Sequence, residues 1–259
     1  MSKHSDPIDA FTRYPTASTV ADFQANVAAV RDRIDAAAVR VGRDPAAVRL
    51  LPVSKTVPTE RVRVAIASGL RLLGENKVQE AVRKSRETTD LDVSWSIIGH
   101  LQTNKARDVA SFAAEFQALD RLRVAEALDR RLQAAGRGLD VYVQVNTSAE
   151  ESKFGMPPEE LDAFLRALPV YSSLRVRGLM TLALLTPDET RVRECFRVLR
   201  TLRDRAREET PALIGDGELS MGMSGDYEIA VEEGATCVRV GQAIFGARST
   251  PDSYYWPEG

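Results

Sequence analysis

Along residues 19–42, apolar side chains recur at spacings of three, four and seven. Phe23, Val27, Val30, Ile34 and Val41 then share one face, and the spacing predicts an amphipathic helix. Thr19 and Asp22 are spaced as a capping pair, and Gly42 is placed to end the helix. From Arg49 the period changes. Short apolar runs at 49–54, 71–74, 94–98, 115–119, 140–146, 175–180, 218–221 and 236–240 read as strands. Helical patterns fill the gaps at 59–68, 76–87, 103–110, 121–135, 158–168, 188–209 and 225–233. Val57-Pro58 breaks the first strand, and Thr59 stands where it could cap the helix that follows.

Strands that alternate with helices are expected to lie parallel, with both faces covered. Eight of them in this length predict a single (β/α)8 TIM barrel with an extra N-terminal helix. A doubly wound open sheet is the second choice. No Gly-x-Gly-x-x-Gly follows the first strand, which speaks against a dinucleotide site there. The expected division is a disordered tail at 1–17, the barrel with its N-terminal helix at 18–248, and a C-terminal tail at 249–259.

Composition narrows the function. The chain has 259 residues, 44% of them hydrophobic, and a net charge of −2. That balance makes no general case for a nucleic-acid partner. No apolar run reaches membrane-spanning length, and the N-terminus lacks the apolar core of a signal peptide. A cytoplasmic protein without a membrane partner is expected. No exposed apolar stripe stands out, so the expected state is a monomer. Cys195 falls in a helical pattern and Cys237 in a strand, so both are expected to be reduced and packed. His4 and His100 have no metal-ligand spacing, so no metal site is expected.

Chemistry concentrates where the strands end, as it does in barrels of this kind. Among 35 Lys and Arg the chain has only six lysines, at 3, 55, 77, 84, 105 and 153. Lys55 follows the first strand directly. Arginine stays charged, whereas a partly buried lysine can lose its proton and attack an aldehyde. The plainer alternative is a lysine snorkelling at the barrel rim. After the seventh strand runs Ser220-Met-Gly-Met-Ser224-Gly225, opening a helix near Asp226, and after the eighth comes Gly241-Gln242. Backbone amides in two adjacent loops of this sort can cradle a phosphate. Turns that need glycine for a positive φ are the alternative. Arg239 sits among apolar residues and needs a partner. Glu232, Glu233 and Asp226 offer ion pairs, and a ligand acceptor is the other option. An imine-forming lysine beside a phosphate cradle suggests pyridoxal 5′-phosphate. A Schiff-base aldolase would need carboxylates for proton transfer, and the strand ends offer Glu75 and Asp120 only.

The runs VSKTVP (53–58), GENKVQEA (74–81), IGHLQTNK (98–105), VNTSAEESKFG (145–155), LMTL (179–182), LSMGMSGDYEIAVEEGAT (219–236) and VRVGQAIFGAR (238–248) resemble the pyridoxal phosphate homeostasis proteins. That family has the fold of the alanine racemase N-terminal domain. The resemblance covers residues 20–248. It implies pyridoxal 5′-phosphate held as a Schiff base on Lys55. It further implies that Arg239 points at the pyridine nitrogen, and that Met223, Ser224, Gly241 and Gln242 hold the phosphate. Asn76, His100 and Met180 would line the cofactor. Two departures stand out. Trp95-Ser96 replaces the usual Trp-His, and Gln242 stands where the family often has Thr or Ser, which removes a hydroxyl contact to phosphate.

The resemblance implies a protein that holds, buffers or delivers the cofactor, with apo-enzymes that depend on it as recipients. An arginine facing the pyridine nitrogen keeps the ring neutral and weakens it as an electron sink. Racemases of this fold carry a second, β domain, and the nineteen or so residues after the last strand are too few to form one. No amino-acid turnover and no catalytic residue are therefore expected. A minimal racemase or decarboxylase is the alternative. Lys153, after the fifth strand, could serve as a second, transient amine.

Overall fold

The computed structural model describes residues 14–150 and 154–247. Eight strands make one sheet: β1 (Arg49–Pro52), β2 (Leu72–Glu75), β3 (Ser94–Ile97), β4 (Glu115–Leu119), β5 (Leu139–Gln144), β6 (Leu174–Met180), β7 (Glu218–Ser220) and β8 (Cys237–Val240). Their order is β1-β8-β7-β6-β5-β4-β3-β2, with every pairing parallel. Val53 and Gly74 form a bridge between the two ends of that order, and the Ser54 N–H donates to the Gly74 carbonyl at 3.0 Å. The sheet thus closes on itself, which is the expected barrel and rules out the open sheet.

Helices surround it: α1 (Val20–Arg40), α2 (Thr59–Ala67), α3 (Val78–Glu87), α4 (Ala106–Phe112), α5 (Leu122–Ala134), α6 (Leu161–Ala167), α7 (Glu189–Glu209), α8 (Tyr227–Glu232) and α9 (Gln242–Phe245). α1 starts with the expected capping pair. Thr19 Oγ1 accepts from the Asp22 N–H at 3.1 Å, and the Asp22 carboxylate accepts from the Thr19 N–H at 2.8 Å. Gly42, at φ +69°, follows its end. Phe23, Val30 and Ile34 are buried as predicted, whereas Val41, at the C-cap, is exposed. α9 is only one turn long, and α1 packs on α8 and α9 where a full final helix would lie. Phe23 meets Phe245 edge-on at 5.4 Å between ring centroids. Residues 14–17 of the segment expected as a tail include buried Ala17, whose carbonyl accepts from Arg61 at 2.9 and 2.7 Å.

Thr59 is not a cap. Pro58 takes the N-cap position, Thr59 is the first helical residue, and its hydroxyl donates to Glu87 on α3 instead.

Branched apolar side chains usually fill such a barrel. Here a hydrogen-bonded polar column crosses the interior. Arg239 donates to Ser220 Oγ (2.7 Å), Ser220 to Gln117 Oε1 (2.6 Å), and Gln117 to Glu115 Oε1 (2.6 Å). Arg49 donates to Glu115 (3.0 Å) and to the Tyr142 hydroxyl (3.0 Å), which donates to Glu218 (2.6 Å). β7 and β4 are not neighbours in the sheet, so the Ser220–Gln117 bond spans the lumen. Each member has a partner, the condition under which a buried polar network rigidifies a core.

Candidate functional site

Lys55 lies just beyond β1, half-buried, and lines a cavity of about 370 Å³ with Asn76, His100, Gln144, Phe154 and Leu182. These residues sit at or beyond the C-terminal ends of β1, β2, β3, β5 and β6, the face where barrel sites are built. Lys77 and Lys105 line the same cavity. Three of the four described lysines are therefore gathered there, while Lys84 is fully buried elsewhere, so the cavity suits an anion.

The strand-end loops are tightly fitted. A Cβ on Gly99 would lie 2.1 Å from the Asn76 carbonyl oxygen, so only glycine lets the loops after β2 and β3 touch. His100 stacks on Phe154 with ring centroids 4.0 Å apart. Arg121 reaches both of its ring nitrogens, at 3.2 and 3.0 Å, and pairs with Asp120 at 2.6 Å. Burial, helped by the Arg121 charge, pulls the His100 pKa below its ordinary value against the pull of Asp120. The imidazole is thereby held neutral near pH 7.

On the other side of the mouth, the loops after β7 and β8 are tied together. The Gly241 N–H donates to Ser224 Oγ at 3.2 Å. Gly222 has φ +93°, and a Cβ there would lie 2.5 Å from the Ala230 side chain, so a turn and close packing account for this glycine. They do not account for Gly225, where a Cβ would meet nothing within 4 Å. The Met223 N–H is taken by Asp226 Oδ1 at 2.6 Å. Gln242 opens α9, and a first-turn amide has no partner within its own helix.

Arg239 is buried at 2% exposure. Of the two options open for it, the ion pair is not formed among the described residues. Glu232 and Glu233 pair instead with Arg40, Arg193, Arg197 and Arg200 on the outer helices. Arg239 donates to Ser220 Oγ and to the Thr181 carbonyl, at 2.7 and 2.8 Å. Burial pulls its pKa down, yet a guanidinium stays charged.

The nine site residues expected from the sequence thus fall into three groups. Lys55, Asn76 and His100 line the cavity. Met223, Ser224, Gly241 and Gln242 form the joined loops after β7 and β8. Met180 and Arg239 are buried in strands, and neither lines the cavity. Lys153 lies outside the described residues. Glu75, counted among the strand-end carboxylates, does not face the mouth. It is fully buried against Lys84 of α3, at 2.7 Å. Gln144, Phe154 and Leu182 went unassigned in the sequence, although a lone glutamine ending an apolar strand was a signal. Together the arrangement offers an amine for a carbonyl group, amide and hydroxyl donors for an anion, and an arginine hydrogen-bonded to two neutral oxygens. That donor set fits pyridoxal 5′-phosphate.

Residues 25–249 match the family described as alanine racemase, N-terminal domain. The pyridoxal phosphate homeostasis protein of Pseudomonas aeruginosa is 44% identical over 231 residues, covering 89% of this chain and 96% of that one. A protein of unknown function from Bifidobacterium adolescentis superposes with a TM-score of 0.80 at 34% identity, over 87% of this chain and 95% of that one. PipY of Synechococcus elongatus, solved with PLP bound, superposes with a TM-score of 0.73 at 36% identity, over 84% and 100%. Among the described residues, no helix is long and apolar enough to cross a membrane.

Proposed function

This chain belongs to the pyridoxal phosphate homeostasis proteins, within the alanine racemase N-terminal domain family, and on that footing we propose that it binds pyridoxal 5′-phosphate covalently on Lys55 and turns over no amino acid. The observation that carries this is the position of Lys55, at the end of β1 and facing a cavity that collects lysines. When bound, the cofactor supplies an aldehyde for a lysine amine and a ring able to act as an electron sink. The protein's residues do the rest. Lys55 provides the amine. Ser224 offers its hydroxyl and Gln242 its amide to the phosphate, with Met223 beside them and Gly241, whose N–H holds Ser224 in place, completing the cradle. Arg239 can only donate, so it suits a neutral pyridine nitrogen. Asn76, His100 and Met180 flank the ring.

Absence of turnover is supported by the lining of the cavity. No carboxylate and no tyrosine line it among the described residues. Arg121 reaches both ring nitrogens of His100, at 3.2 and 3.0 Å, which engages the ring away from a substrate. Cofactor-dependent apo-enzymes in the cytoplasm are the proposed recipients, and a monomer the proposed state. The test is to load the protein with pyridoxal 5′-phosphate, reduce with borohydride, and map the product by mass spectrometry. A pyridoxyl group on Lys55 is expected, and one on any other lysine would refute the assignment.

A further inference from the structure

We infer that Glu80 and Lys84 are positioning residues for Lys55, gripping the backbone on both sides of it from outside the barrel. The inference rests on Lys55 being the cofactor lysine. Lys55 occupies a turn in which the Ser54 carbonyl accepts from the Val57 N–H at 3.0 Å. The third residue of that turn, Thr56, has φ +67°. Glycine or asparagine suits such a position, and a β-branched residue adopts it only when its surroundings impose it.

Those surroundings come from α3. Lys84 is fully buried, and its ammonium donates to the Ser54 carbonyl at 2.7 Å, to Glu75 Oε1 at 2.7 Å and to Glu80 Oε1 at 2.8 Å. Three donors meet three acceptors, which is the full capacity of an ammonium. The Ser54 carbonyl belongs to the peptide that precedes Lys55. Glu80 Oε1 also accepts from the Thr56 N–H at 2.8 Å, and that amide belongs to the peptide that follows Lys55. The Ser54 hydroxyl closes the cluster by donating to Glu75 Oε1 at 2.6 Å. One i,i+4 pair on one helix therefore holds both peptide planes flanking Lys55. Fixing those planes fixes where the lysine stem leaves the backbone, and so where its amine can reach. An apolar residue would fill the Lys84 site at less desolvation cost, so stability alone does not call for this cluster.

A double-mutant cycle separates positioning from mere support of the fold. Glu80 is the residue to change, because its side chain is 17% exposed and its loss leaves Lys84 with Glu75 and the Ser54 carbonyl. Pyridoxal 5′-phosphate affinity is measured for Glu80→Ala and Glu80→Gln, each with Lys55 present and with Lys55→Ala. Amide exchange at Thr56 is followed in the unloaded protein. Glu80→Ala should weaken binding roughly tenfold when Lys55 is present and leave it unchanged when Lys55 is absent, the coupling expected of linked residues. Glu80→Gln, which keeps an acceptor oxygen, should restore most of the loss. Thr56 exchange should quicken in Glu80→Ala. Equal weakening in both backgrounds, or unchanged Thr56 exchange, overturns the inference. Equal affinity of Glu80→Ala and wild type, with the cofactor trapped on wild-type Lys55, overturns it alone. Failure to trap the cofactor on wild-type Lys55 overturns the proposed function with it.

Discussion

The hydroxyl of Ser224 accepts a hydrogen bond from the amide of Gly241 at 3.2 Å, so the loops that end β7 and β8 are joined through one side chain. Replacing it removes a proposed phosphate contact and also the tie between the loops. A hydrogen bond to a charged group contributes about 1.5–3 kcal/mol, so Ser224→Ala should lower pyridoxal 5′-phosphate affinity roughly ten- to hundredfold. Equilibrium dialysis against the cofactor measures this, with thermal melting as the control for folding. Unchanged affinity would place the phosphate elsewhere.

Lys55→Ala should abolish the visible absorbance of the loaded protein and the borohydride-stable adduct. Weak binding should persist, because Ser224 and Gly241 do not depend on Lys55. The measurement is an absorption spectrum before and after reduction. An unchanged spectrum would assign the link to another lysine.

Glu75 gives a pH dependence with a definite sign. Burial, opposed by Lys84, raises its carboxyl from 4.5 to about 7. A carboxyl raised in the fold binds its proton more tightly there than in the unfolded chain. Its contribution to stability is therefore present at low pH and lost as pH climbs through 7. Between about pH 5 and about pH 8, wild type should lose up to about 3 kcal/mol relative to Glu75→Gln in urea unfolding. A difference that does not vary with pH would mean that Glu75 stays ionised.

Arg239 is expected to trade stability for binding. Its hydrogen-bond partners among the described residues are two neutral oxygens, so no carboxylate within hydrogen-bond distance offsets the desolvation of its charge. Arg239→Met should leave the unloaded protein within about 1 kcal/mol of wild type, or more stable, while weakening cofactor affinity roughly tenfold. Denaturant unfolding and cofactor titration on the same sample check both halves. Severe destabilisation would show that the polar column needs its guanidinium.

The loaded protein should not racemise, transaminate or decarboxylate common amino acids above background. Abstraction of the α-proton needs a base within hydrogen-bond reach. Besides the lysines, the cavity offers His100, which Arg121 engages at 3.0 Å. Deuterium incorporation at Cα, followed by chiral analysis, is the measurement. Turnover that disappears in Lys55→Ala would restore the minimal-enzyme alternative.

Most of the fold was legible because buried parallel strands are short apolar runs and the helices between them carry a 3.6-residue period. α9 was not, since four residues are too few to show a period. Lys55 was legible as a lysine at a strand end, and the two glycine loops as strand-to-helix turns. Glu75 was misplaced for a reason of parity. Gly74 pairs inward with Val53, so the next residue must face the helices. Lys84 was invisible in another way. A lysine among charged neighbours on a helix reads as solvated, and only the packing of α3 on the ends of β1 and β2 shows it to be buried. The polar column could be suspected from Arg49, Glu115, Gln117 and Glu218 inside strands, but not its wiring, which joins strands that never pair.

The placement of α1 in the last helical position has a topological consequence. The Ala247 N–H donates to the Tyr14 carbonyl at 2.9 Å, and Asn26 reaches the Ile244 carbonyl at 2.9 Å, so the first and last described turns lie side by side. The barrel is in effect a ring cut at one point. Linking 14 to 247 and reopening the chain at the exposed Gly136 turn would change the order of the elements but none of the contacts described here. A circular permutant of that kind should assemble the same mouth, because the direction in which the ring is read is immaterial once it has closed.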